Sequence, residues 1–135
     1  MSIRVLGLDH LVLRTRNTAG LIRFYCDVLG CTVERRRDEL GLVHLRAGRS
    51  MIDLVDVDGP LGKMGGAPPA ADARNLDHFA LRIETFDADA IRAHLTANGA
   101  TPGPVMDNFG AEGTGPSLYL RDPDGNTIEL KGPPR

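Results

Sequence analysis

The chain lacks a strong charge of either sign, long apolar runs and all but two cysteines. Sixteen Lys and Arg against 18 Asp and Glu leave a formal net charge of -2 over 135 residues. That balance supplies no electrostatic case for nucleic acid or an anionic membrane as partner. No apolar run approaches the roughly 18–20 residues of a helical membrane span. The opening MSIRVLGLDH has neither the apolar core nor the cleavage site of a secretion signal. Cys26 and Cys31 match no metal or redox spacing. A reducing, cytoplasmic setting is the expectation. What remains, 41% hydrophobic and 25% charged, is the composition of an ordinary soluble domain. The length suits one compact unit, or two small lobes sharing a core.

What the chain does contain is a duplication. LDHLVLR at residues 8–14 returns as LDHFALR at 76–82, with the histidines 68 residues apart. Internal repeats decide architecture before any local feature does. The first heptapeptide alternates, with Leu8, His10, Val12 and Arg14 on one side and Asp9, Leu11 and Leu13 on the other. That is the period of a strand. Asn17 and Thr18 then give a helix-start signal, and Leu21, Phe24, Tyr25, Val28 and Leu29 recur at helical spacing up to the stop at Gly30. In the second copy Asp87 can cap a helix with Ile91 and Leu95 on one face and Gly99 at its end. Strand-like runs follow each helix. They are Thr32–Arg36, LVHLRAG and SMIDLVDV in the first copy, and Ala100–Val105, PSLYLRD and NTIELKG in the second, where DPDGN forms a turn.

The prediction is an α+β fold of two tandem βαβββ modules, residues 5–57 and 75–132, within a single domain spanning 1–135. The Gly-, Pro- and Ala-rich stretch 58–74 reads as a mobile linker, with a lid as the alternative.

A lone histidine on an apolar strand is usually a hydrogen-bonded core residue, but here His10 and His78 occupy equivalent positions. The two final strands match as well, in Ile52-Asp53-Leu54 and Ile128-Glu129-Leu130. A carboxylate between apolar neighbours needs a partner or a ligating role. Two imidazoles and two carboxylates make a mixed N/O set suited to Zn, Ni, Co, Mn or Fe(II). His94, beside Ala93 and Leu95, reads as a surface residue, and Cys26 as a small apolar filler. His44 shares a face with Leu42 and Arg46 and can line a pocket wall, with no repeat partner to support a ligand role. The run from Glu34 to Glu39 mixes signs and reads as a solvated turn.

These motifs, with FYCDVLG and above all the ending YLRDPDGNTIEL, resemble the vicinal oxygen chelate superfamily, which includes glyoxalase I, fosfomycin- and bleomycin-resistance proteins and extradiol dioxygenases. The likeness runs from about Leu8 to Lys131 and is greatest to small bacterial glyoxalase-family proteins. It implies curled mixed sheets around a metal-binding cup, and a homodimer whose sites are shared between subunits. One divalent ion per site is implied, held by His10, Asp53, His78 and Glu129. Glyoxalase I carries a glutamate where this chain has the shorter Asp53, and members with three protein ligands use the equivalents of His10, His78 and Glu129. Arg14 falls where glyoxalase I has an arginine for a glutathione carboxylate. The basic residue expected before the final hairpin is missing from GTGPSLYL, which weakens glutathione as co-substrate.

The implied activity is that of a lyase or isomerase of lactoylglutathione lyase type on a small carbonyl substrate. The ion acts as Lewis acid on a carbonyl and stabilises an enediolate, with Glu129 as general base and Arg14, Tyr119 and His44 as substrate-binding residues. Two other readings stand beside it. One is an Fe(II) extradiol-type dioxygenase with a facial triad, and the other a metal-free small-molecule binding or resistance protein.

Overall fold

The alternating heptapeptides do become strands, and each opens a sheet of the same topology. The structure, a computed structural model, describes Met1 and residues 3–135. The chain divides into two units, Met1–Ala70 and Ala71–Arg135.

In the first unit β1 (His10–Thr15) is followed by α1 (Thr18–Arg23). The Asn17 side chain accepts the Gly20 N–H and so caps the helix. The helix continues through a wider π-helical turn, Phe24–Val28, in which the Leu29 N–H reaches back to the Phe24 carbonyl. Gly30 ends it with φ 77°, in the left-handed region open to glycine. Strands β2 (Thr32–Arg37), β3 (Leu42–Ala47) and β4 (Ser50–Asp56) complete a mixed sheet of order β1-β4-β3-β2. β1 and β4 run parallel and the other pairs antiparallel.

The second unit repeats this plan. Strand β5 (Phe79–Arg82) leads to α3 (Ala88–Ala97), capped by Asp87 on the Ala90 N–H. Then come β6 (Met106–Gly110), β7 (Gly113–Arg121) and β8 (Thr127–Lys131), in sheet order β5-β8-β7-β6. Each unit is thus βαβββ with a four-stranded mixed sheet, the α+β class expected.

The register sorts side chains by face, since residues paired across strands share one. In the first unit Leu11 pairs with Ile52, Leu13 with Leu54, Val43 with Leu54 and Leu45 with Ile52. Leu13, Val43, Leu45, Ile52 and Leu54 of these pairs are buried and, with Leu21, Phe24, Tyr25 and Val28 of the helical segment, form the core, while Leu11 is half-buried at its edge. In the second unit Phe79, Leu118, Leu120, Ile128, Leu130 and Leu95 do the same. Fully burying one such side chain stabilises by about 1.5–3 kcal/mol. The opposite face of each sheet carries the histidine and carboxylate.

Several details depart from the expectation. The second strand of the second copy does not form at Ala100–Val105. Pro102 and Pro104 remove two ladder donors, so pairing starts at Met106. The glycine-rich stretch beyond it is a hairpin ladder, with Gly110 opposite Gly113. Residues 34–37 lie in the exposed edge strand β2, and only Asp38–Leu40 form a turn. The stretch 58–74 is not featureless either. It holds a short helix, α2 (Pro60–Met64), with proline in its first turn. No helix among the described residues is long and apolar enough to cross a membrane.

Candidate metal centre

Strand pairing brings the first half of the site together. His44 on β3 and Asp53 on β4 are direct partners, and Val12 on β1 pairs with Asp53 from the other side. His10, two residues before Val12, therefore lies diagonally across from the carboxylate. Its Nε2 stands 3.8 Å from Asp53 Oδ2. The Asp53 Oδ1 atom accepts from His44 Nδ1 at 2.8 Å. Asp53 is only 6% exposed, so the bond from His44 meets its need for a partner.

The second half is built alike. Glu129 on β8 pairs with Ala80 on β5 and with Tyr119 on β7. His78 lies one residue before β5, not inside it as its place in the heptapeptide implies. Its Nε2 is 3.8 Å from Glu129 Oε2, the same separation as in the first half. Glu129 Oε1 accepts from Asn108 Nδ2 at 2.9 Å. That amide group also reaches Ser117 Oγ at 2.7 Å and the Tyr119 hydroxyl at 3.3 Å. The Tyr119 ring meets the His78 ring edge-on, with centroids 5.3 Å apart. Burial raises the Tyr119 pKa above its ordinary value, and the negative charge of Glu129 adds to that.

Both imidazoles are held from behind. His10 Nδ1 donates to Asp9 Oδ1, and His78 Nδ1 donates to Asp77 Oδ2, each at 2.7 Å. A proton fixed on Nδ1 leaves the Nε2 lone pair aimed at the carboxylate of the last strand. Alternation had put Asp9 on the face away from His10. Strand geometry begins only at His10, so Asp9 is free of that constraint. The signal for these aspartates lay in the repeat itself, whose two copies both read LDH. The hydrogen bond that His10 donates to Asp9, followed by the charge of Asp53, raises the His10 pKa.

His44 does have a repeat partner. It stands opposite Asp53 as Tyr119 stands opposite Glu129. Sequence reasoning missed this pairing because the two residue types differ, and it missed Asn108 because only the β6–β7 ladder brings it to the carboxylate.

Arg14 has its guanidinium occupied by the chain. Nη1 donates to the Ala67 carbonyl at 3.0 Å, and Nη2 to the carbonyls of Gly62 at 3.0 Å and Gly66 at 2.7 Å. A Cβ on Gly65 would come within 2.7 Å of Arg14 Nε, so glycine there lets the backbone wrap the side chain. The far end of the same stretch is tied by Arg74, which donates to Asn126 Oδ1 and to the Asp124 carbonyl. His94 is exposed, as expected. Both cysteines are free, and burial pushes the Cys31 thiol up to about 11, which leaves it unreactive.

Among the described residues no cluster of three or more His, Cys, Asp or Glu is arranged to hold a metal. Each unit supplies a pair. That pair fits an ion. At 3.8 Å an Nε2 and a carboxylate oxygen are too far apart to bond each other. Two ligands with metal bonds of about 2.0–2.2 Å sit roughly 3–4 Å apart.

The model of the Glyoxalase/Bleomycin resistance protein/Dioxygenase superfamily matches residues 7–130. The chain belongs to this superfamily. A virulence protein of Salmonella typhimurium, STM3117, is 30% identical over 124 residues, covering 91% of this chain and 81% of that one. Biphenyl-2,3-diol 1,2-dioxygenase 3 of Rhodococcus globerulus is 33% identical over 128 residues. That match covers 92% of this chain but only 62% of the dioxygenase. Among solved structures, an integron cassette protein of V. cholerae superposes with a TM-score of 0.75 at 28% identity, over 98% of both chains. The superfamily contains glyoxalases and dioxygenases alike, so membership leaves the reaction to be argued from the site.

Proposed function

We propose that this protein is a metal-dependent lyase or isomerase of the glyoxalase type, acting on a small substrate that presents two adjacent oxygens. One divalent ion per site (Zn, Ni, Mn, Fe or Co) is held by the pairs His10–Asp53 and His78–Glu129. Each unit's pair leaves an ion half-coordinated, so a site needs two such halves, in a cytoplasmic homodimer with shared sites. When bound, the ion supplies Lewis acidity at a carbonyl oxygen.

The observation that carries this reading is the environment of Glu129. Its carboxylate is 6% exposed, with Oε1 held by Asn108, Oε2 facing His78 Nε2 at 3.8 Å and the Tyr119 hydroxyl beside it. Oε2, loosened from the ion, would be the atom that lifts a proton from the carbon beside the substrate carbonyl and returns it to the neighbouring carbon. Tyr119 and His44, at matched positions beside the two carboxylates, orient the substrate. Arg14, with three bonds to linker carbonyls, is a poor holder for a glutathione carboxylate, and this favours a substrate without that group.

A second reading, an Fe(II) extradiol-type dioxygenase, draws support from the 33% identical dioxygenase. Protein purified anaerobically, analysed for metal and assayed with each ion on the hemithioacetal of methylglyoxal and on catechols separates the two. Isomerisation without oxygen uptake is expected. Ring cleavage dependent on Fe(II) and oxygen replaces the first reading with the second. Failure to retain or reload any divalent ion leaves a metal-free binding protein.

A further inference from the structure

Beside Glu129 the second unit contains a cavity of about 300 Å³, lined among others by Ala80, Arg82, Phe109, Glu112, Glu129 and Lys131. Lys131 lies two residues beyond Glu129 on β8 and so projects from the same face. It is only 8% exposed. Lysine is rarely buried to this degree without a countercharge. Among the described residues, no carboxylate lies within salt-bridge distance of its ammonium. Its single acceptor among the described residues is the Gly115 carbonyl, at the long distance of 3.5 Å. The fold makes room for the stem, since a Cβ on Gly110 would come within 2.7 Å of Lys131 Cε.

The other cation in the cavity is already compensated. Arg82 donates from Nε to Glu112 Oε1 at 2.9 Å and from Nη1 to the Ile83 carbonyl. Lys131 is therefore the uncompensated positive charge on the wall that holds the base. The first unit has nothing comparable, because Arg14 pairs in register with Val55 where Arg82 pairs with Lys131.

We propose that Lys131 is the anion-recognising residue of this cavity and that the substrate is a small carboxylic acid carrying a hydroxyl or carbonyl oxygen on the adjacent carbon. The proposal rests on the reading of Glu129 as base, which sets where the reacting carbon lies. An ammonium with one donor spent on Gly115 has two left, a number suited to one carboxylate. A phosphate dianion calls for more donors than this wall offers. A carboxylic acid of this kind also presents the adjacent oxygens that the superfamily's chemistry requires.

L-Lactate and its neutral isostere lactamide, titrated separately into the full-length metal-free chain and followed by backbone amide NMR, read the carboxylate's contribution alone. Lactate is expected to bind about tenfold tighter, the effect of a hydrogen bond to a charged group, with shifts centred on residues 129–131. Lys131→Met keeps the stem against Gly110 and is expected to abolish the preference. Equal binding of the two probes to the wild-type chain, or an undiminished preference in the variant, overturns the proposal. If the variant does not fold, the wild-type comparison decides, and lactate shifts that map away from residues 129–131 reject it. Glu129→Gln keeps the two readings apart. It is expected to lose turnover yet keep the preference for lactate, and normal turnover would remove Glu129 as base without touching the result for Lys131.

Discussion

The two halves of this molecule share a strand order, a helix position, a histidine–carboxylate pair separated by 3.8 Å and an aspartate behind each histidine, yet what touches the two carboxylates differs. Asp53 is held by a histidine, Glu129 by an amide with a tyrosine beside it. The arginine four residues beyond each histidine binds linker carbonyls in one unit and Glu112 in the other. Val55 in the first unit becomes the buried Lys131 in the second. The pair is set by sheet topology and survives the divergence. Its neighbours are free to specialise, and in our reading the first unit holds while the second recognises and reacts.

That contrast is broken most directly at the carboxylates. Glu129→Gln is expected to lower turnover about 10²–10⁴-fold, the range of a lost general base, with much of the metal retained. Asp53→Asn is expected to show the reverse balance, weaker metal retention and a smaller loss of turnover per bound ion. Kinetics paired with metal analysis checks both, and equal behaviour of the two variants would dissolve the division of roles. Where the halves are alike, they should respond alike. Leu54→Ala and Leu130→Ala, on equivalent core positions, are each expected to cost about 2–5 kcal/mol in urea unfolding.

The aspartates behind the histidines offer a finer test. Asp9→Asn and Asp77→Asn are each expected to weaken metal binding about 10–100-fold in chelator competition, with glutamate at either position restoring part of it. In the metal-free chain His10 should titrate above the ordinary histidine value, and Asp9→Asn should bring it down, as read by imidazole NMR. The sign is that of a raised pKa. The His10–Asp9 contact favours the folded state below the unfolded histidine pKa, and that contribution disappears as pH rises through the folded one.

The smallest effect separates the two arginines. Arg14→Ala removes three bonds to carbonyls 62, 66 and 67 and should speed tryptic cleavage at Lys63, whereas Arg82→Ala should leave that site as slow as before.

Much of the fold was legible because the chain states it twice. Alternation around His10, the caps at Asn17 and Asp87 and the stops at Gly30 and Gly99 are local signals, and each appears where its chemistry requires. The strand assigned to Ala100–Val105 failed for an equally local reason, two prolines, which outweighed the repeat. The histidines and carboxylates of the two pairs were legible as residue types at matched offsets. Their partners were not. Asp9 was hidden by an alternation that starts one residue later, and His44 and Tyr119 were recognised as counterparts only through their places opposite Asp53 and Glu129.

By itself, then, the sequence determined the two βαβββ units and the chemical identity of the histidine–carboxylate pairs, since periodicity and duplication act along the chain. Only tertiary structure decided that Arg14 serves the linker, that Asn108 steadies Glu129 and that Lys131 is buried without a countercharge. Those outcomes depend on cross-strand register and on which groups are withdrawn from water, and neither is written in the spacing of residues.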